Sequence, residues 1–277
     1  MTAPRWAGLS DRGRVRERNE DRWSVDGDLG LFVVSDGMGG RPAGEVASEV
    51  VVATLPTLVA THFGAAPDLA APDATQRLGT VLTELSTGLR EGSQDMPQLA
   101  GMGATAVVAL VNQATALIAH IGDSRAYLWR ARSLNRLTRD HSLAQALADA
   151  GAITEQQAAG HPGRGQLTRH IGMAGQAWPD TRRVILDATD RLLLCSDGLT
   201  SMLDDSRIQE ILNGCPDPHH ACRTLIEAAN DAGGTDNITV LVVTHSAGAG
   251  GRACITASGA GRVALLARSD GRPGSGR

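Results

Sequence analysis

Short apolar runs alternate along this chain with longer stretches in which apolar residues recur every three or four positions. The short runs fall at Leu31–Ser35, Thr105–Val111, Thr115–Ile121, Arg125–Arg130, Arg183–Leu186, Arg191–Ser196 and Asn237–Thr244, which have the length and composition of β-strands. Several are parted by only a few turn-forming residues, as in Val108–Leu117 with Asn112–Gln113 near its turn, so antiparallel pairing is expected. Helical spacing lies between them. Leu78, Val81, Leu82, Leu85 and Leu89 share one face of a helix that Asp73 would cap, with Gln76 three residues on. Val46, Val50, Val51, Leu55 and Leu58 form a second stripe, which Pro56 should kink or end. Leu225, Ile226 and Ala229 mark a third, stopping at Gly233–Gly234. Antiparallel strands with separate helices predict an α+β layered sandwich.

Residues 138–176 break this rhythm. They hold only short helical stretches, Ser142–Ala150 and Thr154–Ala159, and read as a surface flap, its centre at about 140–173. From Ser246 the chain is rich in Gly, Ala, Ser and Arg, with five Arg against one Asp, and reads as a disordered, mildly basic tail. At 277 residues and 42% hydrophobic, the expected organisation is one domain over 1–245 and a tail over 246–277.

Composition narrows the chemistry by exclusion. A net charge of −4 offers no electrostatic footprint for nucleic acid. No early leader-like segment or membrane-spanning run stands out, so a cytoplasmic monomer without membrane insertion is the expectation. Cys195, Cys215, Cys222 and Cys254 show no C-x-x-C spacing and read as small buried residues, not as a zinc or redox site. All 26 basic residues are Arg. Without a Lys the chain cannot form a P-loop, a pyridoxal Schiff base or a protein-kinase strand lysine.

What remains is acidic. "LFVVSDGMGG" (Leu31–Gly40) and "LLLCSDGLTS" (Leu192–Ser201) each run from apolar residues into Ser-Asp-Gly, presenting Asp36 and Asp197. Asp123 follows one apolar run and Asp236 precedes another. Any one of these is an ordinary turn aspartate. Four at strand termini can converge on one sheet rim, where they would repel each other unless cations sit among them. Oxygen ligands suit Mg²⁺ or Mn²⁺. A carboxylate shared by two such ions about 3.5–4 Å apart would hold a bridging water and make it nucleophilic near neutral pH. Gly37 would let a backbone carbonyl approach an ion. "RVRERNEDRW" (Arg14–Trp23) adds Glu20, Asp21 and the planar fork of Arg16, suited to a phosphoryl group. Alone, that run would read as a solvated strand edge.

In order, "VRERNEDR", "VVSDGMGG", "GMGATAVV", "IGDSRAY", "LTRDHS", "LTRHIG", "LLLCSDGL" and "GGTDNITVLVV" resemble the bacterial branch of the metal-dependent type 2C protein phosphatases, over about residues 5–245. The resemblance implies an α-β-β-α sandwich with two central antiparallel sheets and a binuclear Mn²⁺ or Mg²⁺ site at one edge. By motif position, Asp36 would bridge both ions and Asp197 and Asp236 would complete the first. Glu20 and the Gly37 carbonyl would serve the second. Asp123, with Asp197, would form a weaker third-metal site, Asp21 would orient metal-bound water, and Arg16 would hold the substrate phosphate. A bridging hydroxide would then attack phosphorus in line, with no phosphoenzyme. The implied substrates are proteins phosphorylated on Ser or Thr, with a bacterial Ser/Thr kinase as the opposing partner. Met38 departs from many eukaryotic relatives, which carry a candidate general-acid His there. His141 reads as structural. A phosphopeptide-binding pseudophosphatase would be favoured by loss of a core Asp. An anti-anti-sigma-type regulatory phosphatase would be favoured by loss of the Arg.

Overall fold

The computed structural model describes residues 5–39, 43–94, 96–99 and 101–245; the predicted tail and Cys254 lie outside them. The described residues form eleven strands: β1 (Arg5–Asp11), β2 (Asp21–Asp26), β3 (Leu31–Met38), β4 (Gly103–Ala104), β5 (Ala106–Asn112), β6 (Thr115–Ile121), β7 (Arg125–Arg130), β8 (Ser133–Arg136), β9 (Asp180–Ile185), β10 (Arg191–Cys195) and β11 (Ile238–Thr244). One sheet has the order β1-β11-β10-β7-β8; the other runs β2-β3-β5-β6-β9, with β4 on β3. Every strand pairing is antiparallel.

Alternation along the central strands builds three apolar layers. Phe32, Val34, Val107 and Ala109 meet Leu192, Leu194, Leu241 and Val243 between the sheets. Leu31, Val33, Val108 and Leu110 face outward onto α1 (Ala43–Phe63) and α2 (Ala74–Ser93). On the opposite side Leu193, Cys195, Val240 and Val242 pack against α6 (Asp205–Gly214) and α7 (Pro218–Asp231). Strands buried on both faces read as unbroken apolar runs, which is why they stood out in the sequence. The layering is the expected α-β-β-α sandwich.

Three local expectations change. α1 continues through Pro56; proline leaves the Val52 carbonyl without its helical donor, and the Ser24 hydroxyl approaches that carbonyl at 3.4 Å. Asp73 does not cap α2 through its side chain; its carboxylate instead pairs with Arg77 one turn on, at 3.2 Å. α1 is also long and apolar enough to cross a membrane by length and composition, contrary to the sequence reading. Its Ala47, Val51, Leu55 and Val59 nevertheless lie in the core beside the second sheet. The flap carries α3 (Leu143–Asp149), capped by Ser142, and α4 (Glu155–Ala159), held by a Thr154–Gln157 capping box. A short bridge from Ile171 to Ala104 of β4 fastens it beside the strand ends, and one from Leu167 to Ser142 closes it on itself.

Candidate metal centre

The two Ser-Asp-Gly segments reach the rim by different routes. The first is no turn, since β3 runs on to Met38, with Asp36 directly opposite Asp21 of β2. The second ends β10 and starts α5 (Asp197–Met202). Each glycine is needed for close approach. A Cβ on Gly37 would lie 1.9 Å from the Gly44 carbonyl, and one on Gly198 would lie 2.0 Å from the Asn237 carbonyl. The first approach fits α1 against β3; the second seats Asp197 beside Asp236. Gly37 therefore has a packing reason as well as the one expected from the sequence.

Together these elements open a cleft of about 750 Å³ lined by Arg16, Glu20, Asp36, Gly37, Asp123, Asp197 and Asp236. Asp21 lies just beneath, 2% exposed. All eight residues singled out in the sequence thus meet at one rim. The carboxylates repel one another as anticipated. Burial pushes Asp36 well above the usual carboxylate range, and Asp21, Asp197, Asp123 and Asp236 push in the same direction. Burial and Asp197 raise Asp123; burial and Asp236 raise Asp197; burial raises Asp21. Both Asp21 Oδ1 and Asp197 Oδ1 are buried without a hydrogen-bond partner. Beside them, Glu20 Oε2 and the Gly37 carbonyl lie 2.7 and 2.9 Å from the point a Gly44 Cβ would occupy. Two oxygens therefore converge on a space kept open by the missing side chain. Such clustered, under-partnered oxygens suit a hard divalent cation.

Arg16 extends over the same site, its Nη2 donating to Asp236 Oδ2 at 2.6 Å. Two further residues in the quoted motifs were not singled out in the sequence. Asn237 Nδ2 donates to the carbonyls of Arg12 (2.9 Å) and Arg18 (2.7 Å), and its Oδ1 accepts the Glu20 N–H at 2.8 Å. One buried amide thereby ties the 12–20 loop to Asp236. Thr105 Oγ1 accepts the Asp36 N–H at 3.0 Å and meets Ser124 Oγ at 2.7 Å, linking Asp36 to the Asp123 turn. Asn237 at least adjoins Asp236 in sequence, whereas Thr105 lies between two alanines and carried no such signal.

A second group, His120, His141 and Asp180, brings potential ligand atoms within 4.8 Å of one another. Its hydrogen bonds commit it elsewhere. The rings stack at 4.5 Å with planes 18° apart, so their in-plane lone pairs do not converge on a shared ion. His141 Nδ1 accepts the Gly122 N–H at 3.2 Å, and its Nε2 lies 3.2 Å from Arg169 Nη1 and 3.3 Å from Asp180. His120 Nε2 donates to the Arg139 carbonyl at 2.8 Å. His141 is structural, fastening the flap to the end of β6, whereas His170 and Met38 line the cleft itself.

A layered sandwich with an acidic cleft at the sheet rim defines the class: a metal-dependent phosphoester hydrolase. A family model described as protein phosphatase 2C matches residues 12–231. The serine/threonine phosphatase stp of Listeria monocytogenes is 38% identical over 250 residues, covering 84% of this chain and 93% of the relative. The serine/threonine protein phosphatase PstP of Mycobacterium tuberculosis is 38% identical over 245 residues, covering 86% of this chain and 44% of that longer protein. The crystal structure of Mycobacterium tuberculosis PstP/Ppp superposes with a TM-score of 0.79 at 36% identity, over 88% of this chain and 99% of that one. The PstP catalytic domain in complex with two manganese ions does so with a TM-score of 0.75 at 35% identity, over 87% and 98%. The chain belongs to the protein phosphatase 2C family. It is a metal-dependent serine/threonine protein phosphatase of the bacterial branch.

Proposed function

We propose that the rim cleft is the catalytic centre and that its carboxylates hold two Mn²⁺ or Mg²⁺ ions, with a weaker third at Asp123 and Asp197. Asp36 would be shared by the first two, Asp197 and Asp236 would complete one, and Glu20 with the Gly37 carbonyl would hold the other. The observation that carries this reading is the pair of buried, unpartnered Oδ1 atoms on Asp21 and Asp197 among carboxylates that burial and mutual repulsion already push upward. Bound divalent ions would supply the attacking water and neutralise charge on the phosphoryl oxygens. The related catalytic domain in complex with two manganese ions supports the count and favours Mn²⁺.

The chain's own residues do the remaining work. Arg16 presents a planar fork to two phosphoryl oxygens, and it reaches them by releasing Asp236 to an ion. Asp21, hydrogen-bonded by Ser196 Oγ at 2.7 Å, holds its free Oδ1 beneath the centre, where it would orient water. Met38 brings no proton to the leaving group. Arg16 with an intact Asp36, Asp197 and Asp236 favours general phosphoserine and phosphothreonine hydrolysis over a pseudophosphatase or an anti-anti-sigma specialist. We place the protein in the cytoplasm as a monomer opposing a Ser/Thr kinase.

The test is hydrolysis of p-nitrophenyl phosphate and of a phosphothreonine peptide with Mn²⁺, Mg²⁺ or EDTA, with Asp197→Asn alongside. Metal-dependent release, absent with EDTA and in the variant, is expected. Tight metal-dependent peptide binding without release would make the protein a binding module.

A further inference from the structure

Arg18, two residues beyond Arg16, also lines the cleft, but nothing holds its head firmly. Its backbone is fixed: the carbonyl accepts from Asn237 at 2.7 Å, and the neighbouring Arg14 N–H donates to the Gly234 carbonyl at 2.7 Å. Its side chain is 57% exposed, and its ionic neighbour, Glu45, stands 3.7 Å away, beyond hydrogen-bond reach. Glu45 is already engaged. Arg22 Nη2 donates to it at 2.8 Å while Arg22 Nε takes Glu49 at 2.8 Å. The fold thus plants a guanidinium on a rigid stretch of backbone at the cleft wall and leaves its donors facing solvent. Val15, on the same loop and also lining the cleft, is 66% exposed, so the loop presents side chains outward beyond the metal centre.

Charge says what would meet it. Once ions neutralise the floor carboxylates, the charge that a flanking substrate residue meets is that of the cleft wall, where Arg18 stands. Arg16 is taken up by the phosphate. Arg18 offers the next fork, displaced along the loop, where a residue flanking the phosphorylated one would lie. Resting on the phosphatase reading above, we infer that Arg18 is a specificity-determining residue that selects substrates with an acidic side chain beside the phosphoserine or phosphothreonine. It acts by pairing with that carboxylate, not by touching the reacting phosphoryl group.

The experiment uses the full chain with Mn²⁺ and a set of phosphothreonine peptides in which Asp, Ala or Arg occupies each of the three positions on either side. Wild-type kcat/KM is expected to favour Asp over Ala at one or more positions by about threefold to fivefold, the size of a solvent-exposed ion pair. Arg18→Ala should abolish the ratio and Arg18→Glu should invert it toward Arg-flanked peptides. The wild-type preference should also shrink as salt is raised. A flat wild-type profile, or a preference retained in Arg18→Ala, overturns the inference while leaving p-nitrophenyl phosphate hydrolysis intact. Wild type that fails to release phosphate from p-nitrophenyl phosphate with Mn²⁺ overturns the phosphatase reading itself, and this inference with it.

Discussion

Arg16 and Asp123 lie at opposite ends of the same electrostatic problem. Arg16 is half exposed and paired with Asp236 at 2.6 Å, so its removal should disturb substrate more than fold. Arg16→Ala is expected to raise KM for phosphate esters about tenfold, the size of a lost hydrogen bond to a charged group, with a smaller change in kcat. A fall in kcat alone would remove Arg16 from the ground-state phosphate contacts. Asp123 is 7% exposed and held above its ordinary pKa by burial and by Asp197 and Asp140. Deleting it should produce two opposite effects. Turnover at saturating phosphate ester should drop, with KM little changed, because a metal ligand is lost. The melting temperature in EDTA should rise, because one of five mutually repelling aspartates is gone. Unchanged turnover at saturating Mn²⁺ would sink the third-metal role, and an unchanged or lower melting temperature in EDTA would sink the repulsion.

Among the elements, the 12–20 loop is the one that packing explains least and hydrogen bonding most. Asn237 is buried at the start of β11, and its side chain serves the carbonyls of Arg12 and Arg18 and the Glu20 N–H. Asn237→Ala would leave three backbone groups unpaired and is expected to cost about 2–4 kcal/mol. It should also free the loop, so trypsin should cut after Arg12, Arg14, Arg16 or Arg18 at least several times faster than in wild type. Equal cleavage rates would mean another contact holds the loop. This element also marks how far the sequence could be read. Strands buried on both faces, β3, β5, β6, β10 and β11, were legible because burial on two sides writes an unbroken apolar run. β1 and β2 were missed because "RWAGLSD" and "DRWSVD" are half-buried edge strands, with two Trp among polar residues, and no run forms. α5 and α6 were missed because they follow the second Ser-Asp-Gly without a long periodic face. Asp36, Asp123, Asp197 and Asp236 were legible as a set, since each abuts a readable strand. Their anchors, Asn237 and Thr105, were not, because a hydrogen-bonding amide or hydroxyl looks the same in sequence whether it clamps a loop or faces water.

At the scale of the whole molecule, the acidic rim sets how stability responds to pH and metal. Asp21 is raised to about 7, and Asp36 and Asp123 are pushed well above their ordinary 3.8. A native carboxyl with a raised pKa binds its proton more tightly than the unfolded chain does, so stability falls as pH rises from about 4 upward. His141 acts in the opposite sense. Burial, His120 and Arg169 lower it to about 4 from 6.5, so its contribution is full above pH 6.5 and is lost as pH falls toward 4. The two effects oppose each other between pH 4 and 6.5, and only the carboxylate slope survives above that. In EDTA the melting temperature is therefore expected to decline from pH 6.5 to 8. Saturating Mn²⁺ should raise it and flatten the decline, because the ion binds the native cluster and takes over the role of the protons. Asp36→Asn should flatten the EDTA profile and lose most of the Mn²⁺ response. Thermal melts across that range, with and without metal, decide the matter: a flat EDTA profile in wild type, or an Mn²⁺ shift of equal size in Asp36→Asn, would mean that the rim carboxylates neither store this repulsion nor hold the ions.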